Sequence, residues 1–261
     1  VYGADIKLPG LIWASIVRSP HAHAVLKSVD TSAAEKIDGV FAVMTGKDLP
    51  ALKDEFIDHG EGTENIAWSS ENIMATKKVL YTGHAVAAIA AVDRYVADYA
   101  ASKIKVEYEP LESVTNVEDA TKEGSPILLE DLVGDHIGKK VKSTNIASIT
   151  RHEFGDPDKA FKEAEHVVER TFTLQMVHQG YIEPHNATAI WDEEDRIKVW
   201  TSTQGAFPVR TSTAAILDMD VSKVKVTPLE IGGGFGGKIP IYLEPVVATL
   251  SKKSGRPVKA I

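Results

Sequence analysis

The residues best placed to do chemistry lie in the run Glu230-Ile231-Gly232-Gly233-Gly234-Phe235-Gly236-Gly237-Lys238, where five of nine positions are glycine around one bulky side chain. Glycine at this density gives up side-chain packing and costs conformational entropy. That is tolerable where the backbone needs positive φ or must approach a ligand closely. Successive exposed N–H groups in such a run form a concave donor surface suited to phosphate or an oxyanion. Val221 to Leu229 alternates apolar and polar residues and predicts a strand, and Ile241 to Lys253 predicts a helix. Strand, glycine loop and helix in that order make a cradle for an anion or a cofactor. Two other readings stand beside it. Gly232 to Lys238 satisfies G-x-x-x-x-G-K, the phosphate loop of nucleotide triphosphatases. That loop needs Ser or Thr next to hold magnesium, whereas Ile239 has no oxygen and Pro240 removes a backbone donor. The remaining reading is a glycine-rich turn with no ligand.

Among the other polar residues, Gln204 carries the strongest functional reading. A side-chain amide donates without changing charge, which suits orienting an acceptor group without protonating it. An ordinary amide at a strand end is the competing reading. Lys238 reads either as a partner for a cofactor phosphate or as a solvated lysine. Glu183 reads as a buried, hydrogen-bonded carboxylate ahead of a catalytic one. His21 and His23 share a face if extended, and His178 and His185 flank Glu183. None of them belongs to the closed set of three or four ligands that a zinc site needs.

These residues have to be positioned by an α+β framework. Leu11 to Ser19 and Ala24 to Val29 predict strands, and Thr31-Ser32-Ala33-Ala34-Glu35 predicts an N-cap followed by a short helix. Gly39 to Thr45 and Ala85 to Val92 are compact apolar runs of buried-strand type. Arg94 to Lys103 has helical spacing, and Ile104 to Tyr108 follows as a strand. Residues 50–78, with Glu61-Gly62-Thr63-Glu64-Asn65, predict a long polar surface excursion. Glu112 to Asn145 has no clean period and predicts linker or meandering surface, which sets a boundary near residue 125: domains over 1–125 and 126–261. Beyond it, Gly155 to Phe161 announces a helix with Pro157 in its first turn. Strands are predicted over His166 to Leu174, Ala187 to Trp191 and Arg196 to Thr203, and a helix over Pro208 to Asp218. Arg256 to Ile261 predicts a strand just starting, so the second domain is expected to be cut off.

Composition narrows the classes. With 261 residues and 43% hydrophobic content the chain can build one large or two ordinary domains. Residues 1–130 hold 12 basic and 20 acidic side chains and 131–261 hold 17 of each, so the net charge of −8 sits in the first half. Nucleic acid calls for a basic stripe, which this pattern lacks. No apolar run approaches the ~20 residues that span a bilayer. There is no cysteine, which excludes structural disulfides, thiolate zinc sites and cysteine-held iron–sulfur clusters on this chain. A cytoplasmic setting is compatible with that.

Several segments, in order, closely resemble the molybdenum-binding large subunit of the xanthine dehydrogenase/aldehyde oxidase family. They are Arg18-Ser19-Pro20-His21-Ala22-His23-Ala24, Gly39 to Thr45, Tyr81-Thr82-Gly83-His84 through Ala91, Ile104 to Leu111, Tyr181-Ile182-Glu183-Pro184, Trp200-Thr201-Ser202-Thr203-Gln204 and the glycine loop. The resemblance runs from about Tyr2 to the last residue. It implies an α/β-hammerhead domain over the first region, followed by the first part of a molybdopterin-binding α+β domain. It implies that Gln204 donates to the apical oxygen of molybdenum, and that Phe235 and Gly236 place main-chain groups beside the metal's oxo ligand and the dithiolene. The cofactor-binding set is therefore Gln204, Gly234, Phe235 and Gly236, with Gln204 and Phe235 nearest the metal.

The implied activity is oxidation of an aldehyde or N-heteroaromatic carbon with water as the oxygen source. The cofactor is molybdenum–molybdopterin, in its simple or its cytosine dinucleotide form. No residue here is assigned as catalytic, because the family's base glutamate is expected beyond Ile261. Residues 1–261 are accordingly expected to be inactive alone. Iron–sulfur clusters and FAD are expected on partner subunits or on absent sequence. The expected partners are the rest of the large subunit, the iron–sulfur and FAD subunits and a small-molecule substrate. A non-catalytic split subunit, acting as scaffold or partial cofactor-binding module, is the alternative. Purine-oxidising members carry glutamate directly after the loop lysine, where this chain has Ile239; an apolar wall there favours an aldehyde or a less polar ring.

Overall fold

The computed structural model describes residues 1–58, 63–131 and 133–261. The first region contains β1 (Ile12–Arg18), β2 (Ala24–Asp30), α1 (Ser32–Glu35), β3 (Val40–Thr45), β4 (Phe56–Asp58), β5 (Thr63–Asn65), α2 (Ile66–Ile73), β6 (Lys78–Val79), β7 (Ala85–Ala91), α3 (Arg94–Ala101) and β8 (Lys105–Pro110). There follow α4 (Val117–Thr121), β9 (Val133–His136), β10 (Lys139–Lys142), β11 (Ser148–Ile149) and α5 (Pro157–Glu163). The last region contains β12 (Ala187–Trp191), β13 (Ile197–Thr201), α6 (Ala206–Ile216), β14 (Val224–Pro228), α7 (Glu244–Ser254) and β15 (Val258–Ala260). Among the described residues no helix is long and apolar enough to cross a membrane.

One seven-stranded mixed sheet, ordered β14-β13-β12-β15-β1-β7-β3, is the frame of the molecule. Its strands come from both sides of residue 125, because β15 pairs parallel with β1 and antiparallel with β12. β7 reads Ala-Val-Ala-Ala-Ile-Ala-Ala and is buried along its whole length. That composition fits a strand covered on both faces, where small and branched apolar residues replace the usual alternation. Ala87 and Ile89 face a cluster with Ala34, Ala100 and Ile104, while Ala88 and Ala90 face the main core with Val247, Ala248 and Leu250. Helices α1 and α3 therefore cover one side and α7 the other. A smaller sheet, β6-β2-β8, packs Ala24, Val79 and Val86 beneath Leu26 and Tyr108.

Local rules account for most element ends. The Asp93 side chain caps α3 by accepting the Val96 N–H, and Asp156 caps α5 by accepting the Lys159 N–H with Pro157 at the first turn. α7 stops at Gly255, whose φ of 64° is left-handed.

Three expectations are corrected. The excursion over 50–78 is not all surface: Asn65 caps α2, and Ile66, Ile73, Met74 and Ala75 are buried. Of that predicted stretch, residues 59–62 lie outside the described residues. The linker over 112–145 carries α4, β9 and β10, and β11 just beyond it completes a three-stranded sheet ordered β10-β9-β11. Asn145 knits it, accepting from the Leu128 N–H at 2.9 Å and donating to the carbonyls of Ala120 and Pro126. The strand over His166 to Leu174 does not form. Phe172, Leu174 and Met176 alternate as a strand would but are 85%, 92% and 97% exposed. A strand exists only against a partner, and among the described residues this segment has none.

Candidate functional site

The site forms where the carboxyl end of β13 meets the loop between β14 and α7. Strand β13 ends at Thr201, and the chain continues through buried Ser202 and Thr203 to exposed Gln204. Thr203 fixes this exit: its hydroxyl donates to the Lys238 carbonyl and its oxygen accepts the Gly205 N–H, both at 3.0 Å. The Gln204 N–H donates to the same Lys238 carbonyl at 3.0 Å.

The Gln204 amide is oriented by the loop. Its Oε1 accepts from the Gly236 N–H at 3.0 Å and the Lys238 N–H at 3.2 Å. Two backbone donors converging on one end of an amide identify that end as the carbonyl oxygen. The Nε2 end is thereby left to donate outward, with no protein acceptor among the described residues. Gly234 is glycine for a steric reason, since a Cβ there would lie 2.4 Å from Gln204 Oε1. Phe235 has φ 51°, a left-handed conformation that costs a bulky residue energy, and the residue is 74% exposed. Gly236, at φ 86°, has open space where a side chain would stand. The predicted set Gln204, Gly234, Phe235 and Gly236 is thus brought together as one surface: a fixed amide donor, two left-handed residues and an open backbone face. Such a surface fits a cofactor presenting an oxygen acceptor. Molybdenum–molybdopterin is a group of that kind.

Beneath the loop lies a polar layer. Lys238 is neither solvated nor free for a cofactor phosphate. It is 1% exposed, and its Nζ lies 2.7 Å from Glu183 Oε2. Glu183 also accepts from the Gly232 N–H at 2.8 Å and from Asn186 Nδ2 at 3.0 Å. Burial works to raise the Glu183 pKa, but the bonds from Lys238, Gly232 and Asn186 outweigh it and leave it below the ordinary carboxylate value. Tyr181 and His185 stack edge-on, and burial lowers the His185 pKa. His23 is buried with Nδ1 2.6 Å from the Glu112 carbonyl. Deeper still, Glu244 at the start of α7 is buried, which raises its pKa. The pairing of Lys238 with Glu183 is the functional feature that sequence reasoning missed. Both residues lie in quoted motifs, but nothing in a single chain links positions 55 apart.

A cavity of about 680 Å³ opens beside Gln204 and Ile239. Phe56, Trp68, Leu80, Leu128 and Ile241 contribute to its largely apolar lining.

Comparison with known proteins agrees with this architecture. Residues 1–112 match the aldehyde oxidase and xanthine dehydrogenase α/β hammerhead domain, and residues 138–261 match the molybdopterin cofactor-binding domain. The chain is 35% identical to the carbon monoxide dehydrogenase large chain of Afipia carboxidovorans, over 99% of its own length and 32% of that protein. It is 32% identical to the nicotinate dehydrogenase large molybdopterin subunit of Eubacterium barkeri, over 100% of itself and 56% of the relative. The structure superposes on Cu,Mo-CO dehydrogenase with a TM-score of 0.81 at 34% identity, covering 100% of this chain and 33% of that one. Quinoline 2-oxidoreductase from Pseudomonas putida 86 gives 0.76 at 28% identity, with 100% and 32% covered. The chain thus spans about a third to a half of the length of these relatives. With both of its regions matched in order, and with the solved structures superposing along its whole length, the chain belongs to the xanthine dehydrogenase/aldehyde oxidase family of molybdenum hydroxylases.

Proposed function

We propose that this chain serves a molybdenum-dependent hydroxylase that oxidises an aldehyde or N-heteroaromatic carbon with water as the oxygen source. The observation that carries the proposal is the Gln204 amide, held by two backbone donors so that its N–H groups face out beside Phe235 and Gly236. When bound, the molybdenum–molybdopterin group, simple or as the cytosine dinucleotide, would supply Lewis acidity and two-electron redox chemistry. Gln204 would donate to its oxygen, while Gly234 and Gly236 let the backbone come close. In keeping with the absence of cysteine, iron–sulfur clusters and FAD would be held by partner subunits or other sequence, in a cytoplasmic assembly. The base glutamate would come from sequence after residue 261, so residues 1–261 alone should show no turnover. The boundary near residue 125 is proposed as the junction between the hammerhead and cofactor-binding regions.

Ile239 supports the substrate class. It lines the apolar cavity beside Gln204 and offers no hydrogen bond, so a purine's polar edge would go unpaired there. The names of two relatives, nicotinate dehydrogenase and quinoline 2-oxidoreductase, fit an N-heteroaromatic ring. The decisive experiment is molybdenum and pterin analysis of the purified native assembly. Both present at stoichiometric level support the enzyme, and absence of both favours the non-catalytic scaffold. Side-by-side kcat/KM for hypoxanthine, nicotinate and an aromatic aldehyde then tests the substrate class; a clear win for hypoxanthine defeats the reading of Ile239.

A further inference from the structure

The glycine loop presents a physical problem. Five glycines make it the most entropically costly stretch to order, and Phe235 must sit in a left-handed conformation that its side chain disfavours. Inside the loop only the Gly237 N–H to Gly234 carbonyl bond, at 2.8 Å, and a long Ile239 to Gly236 bond oppose this cost. Something outside must impose the path.

One carboxylate oxygen does. Glu183 Oε2 accepts from the Gly232 N–H at 2.8 Å, at the loop's entrance, and from Lys238 Nζ at 2.7 Å, at its exit. The Glu183 N–H returns a bond of 3.2 Å to the Gly232 carbonyl. Both ends of the loop are therefore fastened to a single residue. Its fixed place comes from Asn186, which donates to its other oxygen at 3.0 Å just before β12 begins. The approach is close enough to dictate glycine: a Cβ on Gly232 would lie 2.6 Å from Glu183 Cβ, and one on Gly237 would lie 2.8 Å from the Tyr181 ring. The exit residue then transmits the clamp. Lys238 gives its N–H to Gln204 Oε1 and takes bonds at its carbonyl from the Gln204 N–H and the Thr203 hydroxyl.

We propose that Glu183 and Lys238 are positioning residues, whose buried ion pair closes the glycine loop and so locks the Gln204 amide with its N–H groups turned outward. A buried ion pair is a poor device for stability alone, because desolvation offsets its Coulombic attraction and an apolar pair of equal volume does as well. An apolar pair cannot, however, accept the Gly232 N–H and hold the exit residue at once. The inference deepens the proposed function and depends on it only for what Gln204 is positioned toward.

The test is run on the chain without molybdenum, by amide hydrogen exchange and by the side-chain amide resonance of Gln204, assigned through its loss in Gln204→Ala. Lys238→Met and Glu183→Gln should each speed exchange at Gly236 and at position 238 by about tenfold or more while β7 amides stay protected. The Gln204 amide pair should move to its free-glutamine position in both. Protection and resonance unchanged in both variants, whatever their melting temperature, would overturn the proposal. Should a lone buried charge prevent folding, the double variant Glu183→Leu/Lys238→Met removes both charges and the acceptor for the Gly232 N–H at similar volume. Loss of loop protection in that folded variant is the expected result, and retention overturns the clamp. A clamp found here together with an assembly devoid of molybdenum and pterin would refute the proposed activity and leave the clamp standing.

Discussion

A glutamine amide has two ends of nearly equal shape and opposite chemistry, and Gln204 can play its proposed role only if the donor end faces out. The loop settles this through Gly236 and Lys238, whose N–H groups both need an acceptor. Gln204→Glu would keep that acceptor and remove the donor. In the intact assembly it should lower turnover per bound molybdenum by about 10²–10³, the cost of one lost oxyanion-type donor, with a smaller change in molybdenum content. Equal turnover per metal would make Gln204 structural. Gly234→Ala tests the steric side: its Cβ has no room beside Gln204 Oε1, so we expect about 1–3 kcal/mol of destabilisation in denaturant titrations. Glu244 offers a pH signature. The Thr201 hydroxyl has one proton and two oxygens within reach, the Asn186 carbonyl at 3.0 Å and Glu244 Oε1 at 2.7 Å. Protonation of Glu244 would relieve this: its O–H would donate to the Thr201 oxygen and free the Thr201 proton for the Asn186 carbonyl. Burial raises the Glu244 pKa above its ordinary 4.5, so its stabilising contribution is full below that value and is lost as pH rises through the folded pKa. Glu183 acts with opposite sign: its pKa is lowered, and its contribution is lost as pH falls through the folded value. Glu244→Gln should therefore remove a loss of stability that sets in as pH rises above the ordinary carboxylate value, and leave the acid limb set by Glu183 unchanged. Urea midpoints across pH check this, and parallel curves for variant and parent would contradict it.

At the scale of elements, the segment over 166–177 behaves as a strand with nothing to pair with. Val168, Phe172, Leu174 and Met176 share one face of an extended chain, and all are exposed. We expect its backbone amides to exchange as fast as an unfolded peptide in this chain. Phe172→Glu should raise the concentration at which light scattering detects aggregation without lowering the melting temperature. The same segment shows what a sequence can and cannot disclose. Strand β7 and helix α3 were legible because their signals are local: a run of small apolar residues in one, an Asp93 cap and helical spacing in the other. His166 to Leu174 has an equally good local signal, but strand formation depends on a partner the segment itself does not encode. α2 was hidden for the converse reason, its polar residues masking Ile66 and Ile73, which only tertiary packing buries. In the site, the glycine loop stands out by residue type and spacing, whereas Gln204 is singled out only by the family resemblance. The Glu183–Lys238 tie was not legible, since long-range pairing leaves no mark on one sequence.

At the scale of the whole molecule, the seven-stranded sheet joins the hammerhead region to the cofactor-binding region through β15, which lies between β12 and β1. Lys259 reinforces the junction from within that strand. It is buried, and its ammonium group donates to the carbonyls of Ala4 and Ile6. Two regions sharing a sheet should unfold together. Calorimetry is expected to give a single transition, with calorimetric and van't Hoff enthalpies equal, and two resolved transitions would contradict it. Lys259→Met should loosen the first residues, seen as faster proteolysis before β1 with the rest of the chain intact.

The placement of β15 also sets a timetable for biosynthesis. Strand β1 starts at Ile12 and its parallel neighbour starts at Val258, so all the residues between them must leave the ribosome before that edge of β1 is covered. At roughly 5–20 residues per second the wait is on the order of 10–50 s, during which the Ile12–Trp13 edge stays open to other strands. The antiparallel pairing with β7 is available much earlier and keeps β1 in a partly built sheet meanwhile. A nascent chain in this state is a natural client for a chaperone. Refolding in vitro should show the corresponding slow phase, set by closure of the longest loop in the sheet.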